Sequence, residues 1–436
     1  MVSYAKLMEG MAGYFPSIPP THYAKFPVSL AGKKDRELPA GLSRIDFNFL
    51  RSRGALFDHD KGLVSAGLVL GPKSNKYPPE MMTDRKNRDP STMVFWDSGG
   101  FQLRSNVMEY HGDKTCGRIL SASEHFADVT ATVDIPPIPN ENPIFDSFDK
   151  CLDISMSNND YYLKNRKYGP KPLVLTVLHG NDRDQCDQWY ARAKIYPNEG
   201  WAFGTIYKRQ LSELLYRLVI ICDEHMMDGR SHIHLFGTNR LALTCALTTV
   251  QSVLSKQLGR PITVTYDTSS PFTNSYRSRL AYLGYAVDKS GLAMRQHRFP
   301  NGDSSANWDR LPFPTIFPSA MANKLKLSDV CLSGKSIFAQ STWDNLSYHL
   351  IANHNVEVLL NAIIGAHRIY LMDESYAAGL CPDWLIRTRI GIEEVLAGPN
   401  PMTALAKYKS DFDMVRSGGR CMGSDDYEDY ADANRG

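Results

Sequence analysis

The chain has few features of a disulfide-bonded, membrane or dinucleotide-binding protein. Its eight cysteines include no CxxC pair and no regular spacing, which argues against a disulfide framework and favours a reducing compartment. No uninterrupted apolar run reaches the roughly 18 residues that a membrane helix needs. The amino terminus has neither the charged start nor the continuous apolar core of a signal peptide. We therefore expect a cytoplasmic protein with no membrane partner.

Net charge is also small, at +2 over 436 residues. This balance neither demands nor excludes a nucleic-acid partner, because such binding depends on where basic residues cluster. Hydrophobic residues make up 43% of the chain, which is ample for a sizeable core, so the composition indicates a globular protein.

Seven apolar segments have the length and composition of buried strands, and segments of helical length separate most of them. The strand candidates are residues 63–71, 93–97, 128–134, 172–180, 201–205, 232–237 and 262–267. Alternation at this spacing predicts parallel strands joined by right-handed crossovers. It favours a closed (β/α)8 TIM barrel over an open doubly wound sheet, and no GxGxxG fingerprint follows the first of these strands.

Polar residues stand at or just beyond the carboxyl ends of these strands, where barrel active sites are assembled. They are Asp97, Asp134, His179, Gly204, Gly237 and Asp267. One Asp in such a place is often a turn or capping residue, and one histidine or phenylalanine is more often structural. Three carboxylates at three strand ends favour a functional site.

The motifs around these residues resemble, in order and approximate spacing, those of the queuine/archaeosine tRNA-guanine transglycosylase superfamily. They read DSGGFQL (97–103), VD followed by IPPIPNENP (133–143), VLHG (177–180), GWAFGTIYKR (200–209), HLFG (234–237) and TYDTSSP (265–271). The resemblance covers roughly residues 60–280, with weaker similarity to about 370. It implies a (β/α)8 barrel that exchanges a guanine in a polynucleotide for a 7-deazaguanine through its N-glycosidic bond.

Roles carried over from the family make Asp267 the nucleophile that attacks the sugar and Asp97 the general acid/base. Asp134 would read the Watson–Crick edge of the base, and His179 stands where the family usually has Gln. The other substrate-binding residues that the resemblance implies are Ser98, Gly99, Gly100, Phe101, Gln102, Gly180, Gly204, Thr205, Phe236 and Gly237. Phe101 and Phe236 would sandwich the ring, and the glycines beside Asp97 would make room for the substrate.

The chemistry of base exchange asks for the same groups. A covalent sugar–enzyme intermediate that survives until the new base arrives requires one carboxylate as nucleophile. A second carboxylate must carry the proton of the departing and incoming heterocycle. Aromatic faces and a carboxylate that accepts from N1–H and the exocyclic amine suit a guanine-like base outside its stack.

The chain departs from the family at the structural zinc, which family members bind through CxCxxC and a later His. Here the corresponding stretches contain Cys331 and His354 alone. A closed structural zinc site takes four ligands. We therefore expect no metal and no cofactor.

Four regions are expected along the chain. They are an extension packing on the barrel (1–60), the barrel (61–370), a helical region (371–415) and a polar, disordered tail (416–436). None of them reads as the carboxy-terminal RNA-binding module of archaeal family members.

These departures make the chain more similar to the 7-deazaguanine DNA transglycosylases of phages and bacteria, the DpdA group. The sequence thus predicts a pentosyltransferase that replaces guanine in DNA with a 7-deazaguanine such as preQ0, in phage genome modification within the host cytoplasm. Arg277 and Arg279, just beyond Asp267, would contact DNA unless they form a solvated basic turn. A divergent tRNA-guanine transglycosylase and a catalytically silent nucleic-acid-binding paralogue are the alternatives. Intact Asp97 and Asp267 count against the silent paralogue.

Overall fold

The computed structural model describes residues 2–20, 22–29, 37–70, 80–138, 142–167, 169, 172–288, 291–299, 313, 319–330, 343–377 and 379–417. Eight parallel strands among these residues form one sheet. They are β1 (Gly13–Pro16), β2 (Lys61–Ser65), β3 (Met93–Asp97), β4 (Val129–Ala131), β5 (Leu173–Leu178), β6 (Gly200–Phe203), β7 (His232–Leu235) and β8 (Thr263–Thr268).

The sheet curls into a nearly closed barrel. Strands β2 to β8 pair in chain order, and β8 pairs with β1 so that Asp267 lies opposite Phe15. A parallel bridge between Ser17 and Leu63 joins the end of β1 to β2. Helices surround the sheet, and the prediction of a (β/α)8 TIM barrel is confirmed.

Helices connect the strands and cover the outside of the barrel. The longer ones are α1 (Asp113–Phe126), α2 (Phe148–Asn165), α3 (Arg183–Ala193), α4 (Leu211–Asp223), α5 (Leu241–Gln257), α6 (Ser270–Ser278), α7 (Asn345–Tyr370) and α8 (Asp383–Ala397). Short helices are Tyr4–Leu7, Ala66–Leu70, Gly100–Arg104, Glu374–Ala377, Pro401–Lys407 and Lys409–Ser417, and 3₁₀ turns are Arg44–Phe47, Thr205–Lys208, Ala322–Lys324 and Leu327–Asp329. Side chains cap several starts; Ser147, for example, accepts from the backbone N–H of Lys150.

Alternate residues of the strands point into the barrel and out toward the helices. The apolar residues of the inner set are fully buried and form a cluster separate from the larger core between sheet and helices. Its members are Phe15, Leu63, Phe95, Val129, Ala131, Leu175, Val177 and Ala202. The barrel interior is therefore filled by side chains, and a ligand must bind at an end of the barrel.

The first strand lies within residues 1–60, where the sequence pattern predicted an extension outside the barrel. All four residues of Gly13–Pro16 are buried, and the strand ends in proline. A four-residue strand bounded by glycine and proline carries no period-two pattern and has the composition of a turn. Six of the remaining strands fall within the segments predicted for them or extend them by one residue. The prediction of a strand over residues 63–71 is wrong in its second half: the strand is Lys61–Ser65, and Ala66–Leu70 is a short helix. An apolar run of this length suits a buried strand and a buried helix alike.

The carboxy-terminal region is helical, as predicted. An antiparallel hairpin, β9 (Leu280–Asp288) and β10 (Gly291–Arg298), follows α6 and packs against α7. Helix α8 then packs against α4 and α5 on the outside of the barrel. Of the predicted tail, residues 418–436 lie outside the described residues. Within the described part of the chain, no helix is long and apolar enough to cross a membrane.

Ion pairs brace the amino-terminal ends of several strands. Arg88 lies 2.7 Å from Asp128, and both side chains are 4% exposed. Asp128 also accepts from the backbone N–H of Val94 in β3, at 2.9 Å. Arg166 pairs with Glu199 at 2.8 Å immediately before β6. Each carboxylate thus ties a strand start to a cation brought by a neighbouring segment.

We expect Asp128→Ala to destabilise the barrel by about 3–5 kcal/mol, because it leaves the Arg88 guanidinium buried without a counter-charge. Denaturant unfolding measures the loss. Asp153→Ala is the matched control, since Asp153 pairs with Arg192 on the surface and such pairs contribute at most about 1 kcal/mol. Equal losses in the two variants would contradict the bracing role.

Candidate active site

The three predicted carboxylates meet at the carboxyl end of the barrel. Asp97 is the last residue of β3, Asp134 follows β4 and Asp267 lies near the end of β8. The charges of Asp134 and Asp267 both act on Asp97, although β3 and β8 are not adjacent in the sheet. The barrel therefore brings these strand ends into one mouth, as the sequence predicted.

This arrangement changes the pKa of Asp97. Burial first, and then the negative charges of Asp134 and Asp267, raise its pKa from 3.8 to about 7, despite hydrogen bonds from Ser65 and from the backbone of Gly99. Asp97 therefore exchanges a proton near neutral pH. A carboxyl group that is part protonated at the working pH suits general acid/base catalysis.

Asp134 is held from both sides. The hydroxyl of Ser98 donates to its Oδ1 at 2.6 Å, and Nε2 of His179 lies 2.7 Å from its Oδ2. An ionised carboxylate only accepts, so Nε2 of His179 carries the hydrogen. These two contacts fix the plane of the Asp134 carboxylate at the mouth.

His179 is positioned by packing as well. Its ring meets Trp189 edge to face with centroids 5.0 Å apart, and its Nδ1 is buried with no hydrogen bond to any residue that the structure describes. A Cβ on Gly204 would lie 2.4 Å from Cε1 of His179, so the ring occupies the space that this glycine leaves. Gly204, predicted to bind the base, thus leaves room for the His179 ring.

The glycines that follow Asp97 make room for protein backbone. Gly99 has a φ of +79°, and a Cβ there would lie 2.5 Å from the backbone N of Gly67. A Cβ on Gly100 would lie 2.2 Å from the carbonyl oxygen of Asp134. The prediction that these glycines leave room for substrate is therefore corrected, because neighbouring segments fill the space. Gly99 permits the close approach of the segment that follows β2, and Gly100 permits that of the segment that follows β4.

Gln102 and Thr205 hold the loops around the mouth. Oε1 of Gln102 lies 2.8 Å from the hydroxyl oxygen of Ser65. Thr205 has a φ of +47°, an uncommon conformation for a β-branched residue. Its hydroxyl donates to the carbonyl of Gly180 at 2.7 Å and accepts from the Gly180 N–H at 3.0 Å. Strain of this kind tends to occur at functional sites.

The two predicted stacking residues stand on opposite parts of the sheet. Phe101 follows β3, Phe236 follows β7, and both are partly exposed. The Phe236 ring lies 4.7 Å from His234 and 5.9 Å from Phe95, between centroids. Their stacking on a base stays a prediction.

Asp267 is largely buried and points its carboxylate at the next strand end. Its Oδ1 accepts from the backbone N–H of Gly237 at 2.8 Å. Nε2 of His234, one strand away, lies 3.4 Å from the same oxygen. Gly237 therefore contacts the carboxylate itself.

The two arginines proposed for DNA differ in their surroundings. Arg277 is exposed at the last turn of α6. Arg279 has a φ of +53°, and its charge acts on Tyr348. Its Nε is buried and has no hydrogen bond within the described part of the chain. Arg277 is thus the better placed of the two for a polynucleotide.

The residues considered for zinc do not form a site among the residues described. His354 is fully buried, with Nδ1 at 2.7 Å from the Ser319 hydroxyl and Nε2 at 2.6 Å from the carbonyl of Tyr282. Both ring nitrogens are occupied by protein groups. Cys331 lies outside the described residues, and within them no group of three potential ligands could hold a metal.

Sequence reasoning missed His234 and Ser65, which touch the two catalytic candidates. His232 and His234 alternate in HIHLFG, so the period of a strand places both on its inner face. Two inward histidines in an apolar barrel would have been a usable signal.

Comparison of the chain with models of known protein families finds no match, and comparison with curated proteins finds none either. The roles of the mouth residues therefore rest on their geometry and on the resemblance of the motifs.

We expect Asp97 to reduce the stability of the folded protein as pH rises. Its pKa is higher in the folded than in the unfolded state, so its contribution is most favourable below about pH 4 and is lost toward pH 7. Allowing for its partial exposure, the loss is on the order of 3 kcal/mol. Asp97→Asn, a neutral isostere, should therefore unfold at higher denaturant concentration than the parent above about pH 7.

Denaturant titrations across this pH range measure the effect. Asp413→Asn is the control, since Asp413 is exposed and pairs with Lys409 on the surface. If the Asp97→Asn and parent curves run parallel at every pH, the proton does not reside on Asp97.

Proposed function

We propose that this protein is a pentosyltransferase that exchanges guanine in DNA for a 7-deazaguanine base such as preQ0, through a covalent bond between Asp267 and the sugar. The observation that carries the proposal is the pairing of unlike carboxylates in one mouth. Asp97 holds a proton near neutral pH, whereas Asp267 is held by a backbone N–H. Exchange needs one proton carrier and one nucleophile.

In the first step an oxygen of Asp267 gives an electron pair to C1′ of the deoxyribose while the C1′–N9 bond breaks. The bonding electrons leave with the guanine, which takes the proton of Asp97. In the second step the incoming base gives its N9 proton to Asp97, and its N9 attacks C1′ as the bond to Asp267 breaks. Both carboxylates return to their starting states, so the exchange consumes no cofactor.

Recognition of the base falls to Asp134 in this proposal. Its orientation is fixed by Ser98 and His179, and a further lone pair on each oxygen can accept from a guanine-like edge. A carboxylate accepting from N1–H and the exocyclic amine discriminates against adenine, which presents an acceptor at N1. Partly exposed Phe101 and Phe236 are available as flat faces for the ring.

DNA as the polymer is supported by the motif resemblance and by the departure of residues 321–355 from the zinc-binding motif of the family. Exposed Arg277, ten residues beyond Asp267, is suited to a phosphate that flanks the flipped nucleotide. The 2′ position of the sugar distinguishes the two polymers at such a site.

Asp267→Asn should abolish base exchange, with a fall of at least about 10³-fold, because an amide oxygen is a poor nucleophile of nearly the same shape. Release of labelled guanine from a pre-labelled oligonucleotide measures the rate, and denaturing gel analysis detects the covalent protein–DNA adduct in the parent. Asp153→Asn, on the surface, is the control. Undiminished exchange in Asp267→Asn would refute the nucleophile.

The polymer is tested by offering the enzyme labelled preQ0 with a DNA oligonucleotide or with tRNA. We expect incorporation into DNA and at least tenfold less into tRNA, because the site beside Asp267 would accept a sugar that lacks the 2′-hydroxyl and exclude one that carries it. Incorporation into tRNA alone would overturn the DNA assignment and support a divergent tRNA enzyme. Binding of both polymers without any exchange would support a silent paralogue.

A further inference from the structure

His234 lies fully buried beneath the mouth, inside an aromatic cage. Its ring centroid is 4.3 Å from Phe95, 4.7 Å from Phe236 and 6.0 Å from Phe15. An apolar residue of similar size would fill this place without any buried polar atom. The two ring nitrogens must therefore be accounted for.

One nitrogen belongs to a buried chain of polar groups. Nδ1 of His234 and Nε2 of His232 both contact the hydroxyl oxygen of Thr265, at 2.9 and 2.8 Å. The hydroxyl can also donate to the carbonyl of Ile233, at 3.2 Å. Burial, followed by the neighbouring His234 and Lys61, lowers the pKa of His232 to about 3, so His232 is neutral.

The other nitrogen faces Asp267. Nε2 of His234 lies 3.4 Å from Oδ1 of Asp267, and the structure gives it no hydrogen bond to any described residue. That separation exceeds an ordinary hydrogen bond. Catalytic contacts are often this long before substrate binds and shorten in the substrate complex.

The contact with Thr265 limits which ring nitrogen of His234 carries a hydrogen. If the Thr265 hydroxyl donates to His234, the neutral ring carries its hydrogen on Nε2. If the hydroxyl donates elsewhere, Nδ1 must donate to Thr265, and a neutral ring would point a lone pair at a carboxylate. Protonation of the ring removes that repulsion and again places a hydrogen on Nε2. Each favourable arrangement thus directs an N–H at Asp267.

We infer that His234 is a positioning residue for Asp267: its Nε2–H and the Gly237 N–H hold Oδ1, which leaves Oδ2 to attack the sugar. The inference rests on the proposed function. Thr265 and His232 serve as the support that keeps the imidazole in this orientation. The role resembles that of other second-layer groups that orient a reacting side chain.

His234→Phe keeps the aromatic volume and removes the N–H. We expect kcat for base exchange to fall about 10²-fold with KM for base and DNA within about twofold, because loss of orientation affects the reacting atom and spares the binding contacts. His234→Gln can place an amide N–H near the same oxygen and should recover about tenfold of the lost rate. His354→Phe removes another fully buried histidine away from the mouth and should leave kcat and KM unchanged.

Nitrogen-15 NMR of histidine-labelled parent protein gives a readout that packing alone does not produce. The Nε2 signal of His234, assigned by its absence in His234→Gln, should have the shift of a protonated nitrogen. An unprotonated Nε2 overturns the inference even if His234→Phe fails to fold, and so does full kcat in His234→Phe. Those results leave the proposed function intact. The proposed function fails separately if Asp267→Asn retains exchange.

Discussion

The burial of three mutually repelling carboxylates in one barrel mouth is the constraint on which the site depends. Asp134 and Asp267 already place negative charge in a region with little water, and a third charge on Asp97 is costly there. The result is a carboxyl group that keeps its proton until about pH 7. Burial raises the pKa of Asp97 more than either neighbouring charge does, so the enclosed mouth and the repulsion act together.

The three carboxylates also differ in the groups that donate hydrogen bonds to them. Asp134 accepts from Ser98 and His179, which stabilise its charge and its orientation together. Asp267 accepts from the Gly237 backbone, a donor that side-chain replacement cannot remove. The pKa of Asp97 is raised by burial and by the charges of the other two carboxylates. Identical side chains thus acquire distinct surroundings at one end of the barrel.

The sequence predicted what depends on local pattern, and failed where distant segments decide. Seven strands and the carboxylates at their ends followed from apolar runs and the geometry of parallel sheets. Strand Gly13–Pro16 was missed because its burial comes from pairing with β8, far along the chain. Gly99 was interpreted as space for substrate, although the backbone of Gly67 fills that space. Contacts across the barrel leave no trace in a local pattern.

The two ends of the barrel use charge in opposite ways. At the strand starts, acids are matched with buried cations, as in Arg88–Asp128 and Arg166–Glu199, and these pairs hold neighbouring segments together. At the strand ends, acids face one another across the mouth. A fold can keep such repulsion only if its stability comes from elsewhere, and the braced end and filled interior supply it. Because the ion pairs and the opposed carboxylates lie at opposite ends of the barrel, the carboxylates can face one another without unfolding it.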